Sequence, residues 1–473
     1  FDGRWGAGVI QQAVGGDILP VLNNLFCFCG FCLAMVALAK YWELPKITLI
    51  YTVFGLFIML LPYTYPWLQY VRSETHFWNI LLIVLASSLA DKKQFWPQFA
   101  AFMIFVFSLG CYPATIETII LIFWGRCLLT VWFDNPSLKD LIKKYYSHVI
   151  NIFVSFVVFI LIFGWMKKQG LFINYMSLEP VTVTTLFQNV LNLPQSLKET
   201  FMGNGYYLTT GLKLLLGLSF LFVFYLMTGK SYRQNLLIGA FIIAILVSSQ
   251  IIDLLSAHYY AAQLRLDFFA VPYIYALGWT IMLRQKENLL KNTALVLMMI
   301  ATCYAGLQAF RDQKVKYFDL QREMKIYDDI RARIKADPKF DPSQKYNILM
   351  IGDIDFLWEN TTFDHYNDAV KIEDSWIPYV MAWNAKAFFD FYEKDSFVEL
   401  SYSDYWIKLE DRDIEKLDID YLLHRAFPWP HSNSIYLNGK YIYIVLDWLS
   451  LNDIRDRLHK LGYETKAPEA KND

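Results

Sequence analysis

Long apolar windows recur through the first 310 residues of this chain, separated by short polar breaks, and no other feature limits its fold as strongly. A backbone entering hydrocarbon must satisfy its own N–H and C=O groups, and a helix of roughly 20 residues does so while crossing ~30 Å. Windows near residues 18–39, 47–64, 76–90, 95–112, 114–133, 147–166, 208–228, 235–255, 267–284 and 292–310 predict ten such helices, the third of them short for a full crossing. Composition agrees: 56% of the 473 residues are hydrophobic and 18% charged, against about 25% charged in soluble globular proteins. Disorder is excluded and an ordinary soluble enzyme disfavoured. Aromatics at 18% suit a protein anchored at two membrane interfaces. A net charge of −1 leaves no electrostatic footprint for a nucleic-acid partner.

The polar breaks predict orientation, because Lys and Arg accumulate in short cytoplasmic loops. Alternate breaks carry Lys40 and Lys46, Lys92 and Lys93, Lys139, Lys143 and Lys144, Lys230 and Arg233, then Arg284, Lys286 and Lys291. The opposite loops, residues 63–77, 110–113, 167–207 and 253–266, are aromatic and poor in basic residues. Lys167 and Lys168 depart from this, at a helix end where they could snorkel. Residues 1–17, those four loops and everything after about residue 311 are therefore expected on the non-cytoplasmic side, with an odd number of spans upstream of Phe1. A bacterial inner membrane fits this layout best.

After Arg311 the composition turns to mixed charge. Residues 316–335 place Phe318, Met324, Ile330 and Ile334 among charges, an amphipathic helical pattern. Residues 347–352 read as a buried strand, and Tyr436 to Tyr441 as a hairpin in which Asn438-Gly439 forms a type I′ turn. The expected fold is a polytopic α-helical membrane region over residues 1–310 followed by an exported α/β domain over 311–473. Cys27, Cys29, Cys32, Cys111, Cys127 and Cys303 lie in or beside apolar stretches and suggest no disulfide framework.

Ionisable residues at membrane depth are costly, so each is a candidate for function. On the expected outer face these are Asp2, Arg4 and Asp17, then Arg72, Glu74 and His76, then Glu117, then Asp253, His258, Arg265 and Asp267. Glu117 follows Pro113 by four residues, about one turn inside a helix that Pro113 can open, where the N-terminus favours a carboxylate. An internal ion pair or a protonated acid is the alternative. Arg265 and Asp267 could pair with each other, or Arg265 could hold a phosphate through its planar fork. His258, beside Tyr259 and Tyr260, suits an interface better than a metal. No residue set has metal-site spacing, so no metal ligand is assigned. Phosphate-loop, dinucleotide and Gly-x-Ser-x-Gly motifs are absent from the sequence. In the C-terminal part, Asp353 and Asp355 follow the strand, and the run Ala426 to His431 could stack on a sugar or simply pack.

Gly3-Arg4-Trp5 before the first window, Tyr112 in Gly110-Cys111-Tyr112-Pro113-Ala114, a single Arg opening a late span at Arg265, and the C-terminal domain together resemble the Gtr-type serotype-converting glucosyltransferases of bacteria and their phages. Pro113 stands where that family carries Gln. The resemblance implies a GT-C-like enzyme moving a hexose, typically glucose, from a polyprenyl-phosphate-sugar donor to a lipid-linked O-antigen on the periplasmic face. It implies an acid in the first outer loop, either Asp2 or a residue upstream of it, with Glu74 and Glu117 as further catalytic candidates. Arg4, Arg72, Tyr112, His258, Arg265 and Asp267 become substrate-binding candidates. No cofactor is assigned with certainty, and a divalent metal is compatible with the class. The competing reading is a secondary transporter or flippase for a glycolipid. The internal repeats that would favour it are not visible in the sequence.

Overall fold

The computed structural model describes residues 20–64, 74–169, 182–202, 209–254, 269–352, 398–403, 418–446, 448–460 and 462–463. The chain divides into two compact units, Phe1–Phe310 and Arg311–Asp473. The first is built from helices α1 (Pro20–Tyr41), α2 (Thr48–Leu60), α3 (Glu74–Ala90), α4 (Phe95–Cys111), α5 (Thr115–Asp134), α6 (Leu138–Lys168), α7 (Val183–Met202), α8 (Thr210–Met227), α9 (Tyr232–Ser248), the single turn α10 (Ile251–Leu254), α11 (Val271–Leu283) and α12 (Asn288–Ala336), whose last turns belong to the second unit. Four segments, Thr115–Asp134, Leu138–Met166, Thr210–Met227 and Asn288–Arg311, are long and apolar enough to cross a membrane. Six shorter apolar helices accompany them among the described residues.

Burial sorts these helices into layers. In α5, 78% of the apolar window is buried, whereas in α6 only 11% is. Every residue of α11 is buried. Helices apolar on all sides and enclosed by others form the centre, while α6, α8 and α9 turn large apolar side chains such as Phe153, Leu161, Leu221 and Ile243 outward. A helix in water would direct its polar face there, so these surfaces suit lipid. Between helices in lipid, close packing replaces the hydrophobic drive. At the α1–α3 seam, a Cβ on Gly30 would lie 2.9 Å from the Trp78 indole, so only glycine permits the observed approach. Phe31 meets Phe77 edge-on at 5.5 Å on the same seam, and Phe57 of α2 meets Trp279 of α11 at 6.2 Å.

Two expectations need correction here. The loop read over residues 167–207 contains α7, an amphipathic helix with Pro194 inside it. Its polar Asn189, Ser196 and Thr200 are buried and its Val183, Phe187 and Leu191 exposed, the reverse of a soluble helix. Its mean hydropathy is too low for a spanning window, which is why it is not visible as one. The helix expected at 147 begins instead at Leu138, because Ser137 caps it: the Ser137 hydroxyl accepts the Asp140 N–H at 3.1 Å.

The second unit contains a four-stranded sheet, β1 (Tyr346–Ile351), β2 (Val398–Ser403), β3 (Ile435–Asn438) and β4 (Tyr441–Val445), in the order β2-β1-β4-β3. Strand β1 runs parallel to β2 and β4, and β3 pairs antiparallel with β4. Alternation along the strands sends Ile348, Met350, Ile442 and Ile444 to one face, where Ile330 and Ile334 of α12 cover them. Leu349, Ile351, Tyr443 and Val445 face the other side, covered by Leu451, Ile454 and Leu458 of helix α13 (Trp448–Lys460). The hairpin turns one residue later than expected. Asn438 pairs with Tyr441, so Gly439-Lys440 forms the loop. Gly439 is at φ +57° and Lys440 is not in the left-handed region, the pattern of a type II′ turn. Trp429 of the aromatic run packs onto the α12 side of the core with the Arg333 guanidinium 4.2 Å above its ring. That contact is packing within the unit and leaves the ring's one face occupied.

Candidate functional site

Hydrogen bonds sort the loops of the first unit into two ends. At one, Arg126 Nη2 lies 2.6 Å from Glu43 Oε1 and Arg284 Nη2 lies 2.8 Å from Glu43 Oε2. Gln234 Nε2 donates to Val131 O at 2.9 Å and Lys230 Nζ to Trp132 O at 3.1 Å, while His148 Nδ1 meets Asp91 Oδ1 at 3.0 Å. These contacts bring together the breaks that carry Lys and Arg. Burial opposes ionisation of Glu43, but the hydrogen bond from Arg126 and the charges of Arg126, Arg284 and Lys144 outweigh it and hold the carboxyl below its ordinary range.

The other end collects the candidate site. Helix α4 stops at Cys111, and α5 starts at Thr115 after Pro113. Thr115 Oγ1 donates to Tyr112 O at 2.7 Å and to Ser108 O at 3.1 Å, which fixes the corner between the two helices. Asn79 Nδ2 of α3 also donates to Ser108 O, at 3.0 Å. This places three aromatic rings together: His76 meets Tyr112 edge-on at 4.9 Å, Tyr112 stacks on Phe269 at 5.1 Å, and His76 meets Phe269 at 5.9 Å. Such pairs contribute about 0.5–1.5 kcal/mol each beyond area burial. Thr118 Oγ1 donates to Phe269 O at 2.6 Å, tying α5 to the start of α11.

Glu117 lies in the first turn of α5 and is only 2% exposed. The Ile252 N–H donates to its Oε1 at 3.2 Å, a contact across 135 positions of chain. The helix N-terminus and this amide both supply positive partial charge to the carboxylate, which lowers the cost of holding it away from water. Next to α10, Gln250 bonds Ser196 and reaches Thr200 Oγ1 at 3.3 Å, Asn189 Nδ2 donates to Leu254 O at 3.2 Å, and Tyr63 donates to Thr200 O at 2.9 Å. A buried polar layer from α7, the turn after α2 and the link before α10 thus adjoins the α10 turn whose Ile252 amide meets the carboxylate.

Of the residues singled out from the sequence, Glu117 and Tyr112 are brought to this end together. Glu74 is the first residue of α3, with its side chain outside the described residues. Asp2, Arg4, Asp17, Arg72, His258, Arg265, Asp267, Asp353 and Asp355 also lie outside them. His76, visible in the sequence only as one more ionisable residue, is the ring that joins Tyr112 to Phe269. Asn189, Ser196 and Thr200 gave no signal, since their roles come from long-range partners. Among the described residues, no three His, Cys, Asp or Glu side chains form a metal-binding group. None of the six cysteines is joined in a disulfide.

Comparison with protein-family models, with curated proteins and with solved structures finds no match.

Proposed function

We propose that the chain is a membrane hexosyltransferase of GT-C-like type, using a polyprenyl-phosphate-sugar as donor and a lipid-linked glycan as acceptor. The observation that carries the reading is Glu117, a buried carboxylate at the aromatic end of a helical bundle, opposite the lysine-bearing breaks. In this reading the aromatic end faces the periplasm of a bacterial inner membrane and residues 311–473 are exported. A buried acid there can accept the proton of an incoming sugar hydroxyl. The hydroxyl oxygen bonds to the anomeric carbon while the bond from that carbon to phosphate oxygen breaks, so the electron pair leaves with polyprenyl phosphate. The added negative charge on that phosphate calls for a guanidinium, and Arg4, Arg72 and Arg265 are the candidates. Tyr112 and His76 bring aromatic rings to the same end of the bundle, a surface type that suits a sugar face.

The test is incubation of purified protein with polyprenyl-phosphate-glucose and lipid-linked glycan. Transfer should be found, and Glu117→Gln should lower it by at least about 100-fold, the usual size of a lost general base. Arg265→Glu should reduce it as well. Movement of the lipid between leaflets with no sugar transferred would discard the enzyme in favour of a glycolipid transporter.

A further inference from the structure

Apart from the site just described, the first unit has a groove of about 850 Å³ between α1 and α2, whose lysine end lies at the opposite end of the bundle from Glu117. Its walls are apolar, with Phe28, Phe31, Met35, Leu56 and Met59 among them, and at one end it reaches Lys40 and Lys46. From Phe28 to Lys40 the groove follows α1 for ~18 Å, close to the depth of one leaflet of a ~30 Å hydrocarbon layer. Among the described residues, no acidic side chain lines it. Neither lysine ammonium has an ion pair or hydrogen bond among the described residues, and both side chains are exposed. Thr48, Tyr51 and Thr52, each bearing a hydroxyl, also line the groove. A neighbouring cavity of about 530 Å³ shares Lys40, but there Glu43 already neutralises Arg126.

A channel that is apolar for the depth of one leaflet, carries hydroxyl-bearing residues on one wall and ends in two exposed cations matches one ligand shape. We propose that the α1–α2 groove binds a single anionic phospholipid from the leaflet bordering the lysine-bearing breaks. One acyl chain lies along Phe28 to Met59, and the headgroup phosphate sits at Lys40 and Lys46. The charge complementarity selects an anionic over a zwitterionic lipid, since a zwitterion would bring its own cation to the lysines.

Native mass spectrometry of the full chain, released from micelles with equal phosphatidylglycerol and phosphatidylcholine of the same chain length, tests this. Wild type should retain one phosphatidylglycerol in preference to phosphatidylcholine. Each lysine near an anionic headgroup should account for about fivefold of that preference, so K40Q/K46Q should lose about 25-fold. K40R/K46R should keep it, as should K92Q/K93Q on another basic break. Leu56→Trp, which fills the groove from an already exposed position, should reduce retention of both lipids. Equal retention of the two lipids by wild type would overturn the proposal. So would an unchanged preference in K40Q/K46Q, displacement of the lipid by inorganic phosphate alone, or a lipid-free dimer. The readout is lipid retention, so it stands or falls separately from sugar transfer.

Discussion

Glu43 shows how one side chain can hold three segments. It sits at φ +58°, in the left-handed region where a non-glycine residue is strained, and is kept there by the Arg126 and Arg284 guanidinium groups and by the chain leaving α1. Glu43→Gln should destabilise the protein by about 1–2 kcal/mol, a value reduced for solvent screening because the carboxylate is half exposed. The pH dependence has a definite sign. With its folded value below the ordinary 4.5, the carboxylate binds fewer protons folded than unfolded as pH falls past 4.5, so its stabilisation is complete above that pH and fades below it. Thermal melts in detergent should show a wild-type minus Glu43→Gln difference that is flat above pH 4.5 and shrinks in more acid buffer. A difference independent of pH would show that the arginines act on something other than the carboxylate. At the other end, Tyr63→Phe removes the hydroxyl donated to Thr200 O and should cost about 1 kcal/mol in the same melts.

Helices and strands test the packing argument. Gly30→Val at the α1–α3 seam should cost about 1–3 kcal/mol by overpacking against Trp78. In a double-mutant cycle with Trp78→Ala the two costs should be strongly non-additive, because removing the indole opens the space. Additive costs would mean that the seam is not where the strain arises. In the sheet, Gly439→Ala should destabilise by about 1 kcal/mol, since φ +57° suits glycine. The hairpin shows what local patterning can and cannot do. Asn438-Gly439 announces a two-residue turn from the sequence, yet the register is decided by which strand faces must be buried: Leu437 opposite Ile442 goes inward, and this moves the turn to Gly439-Lys440. Helix α7 is the opposite case. Its sequence has too little continuous apolar character to mark a span, and its buried polar face becomes intelligible only beside Gln250 and Leu254.

At the level of the whole molecule, helices with buried polar groups and exposed apolar ones belong in lipid, so the protein should stay in the membrane pellet after an alkaline carbonate wash. Recovery in the supernatant would contradict the membrane reading. If the proposed orientation holds, protease added to right-side-out spheroplasts should remove residues 311–473 and leave the break at Lys139 to Lys144 intact. The apolar windows and the basic breaks were legible in the sequence because hydrocarbon imposes a local rule: a segment must satisfy its own backbone groups, and its length and hydropathy say whether it can. Strand β1 and the amphipathic part of α12 were legible for a similar reason, their periodicity being a property of neighbouring residues. Tertiary structure alone decided that α5 and α11 lie at the centre, that His76, Tyr112 and Phe269 form one aromatic cluster, and that Glu117 receives the amide of Ile252. Those contacts join positions far apart in the chain, and their selection depends on shape and polarity matched across helices, which no single segment carries.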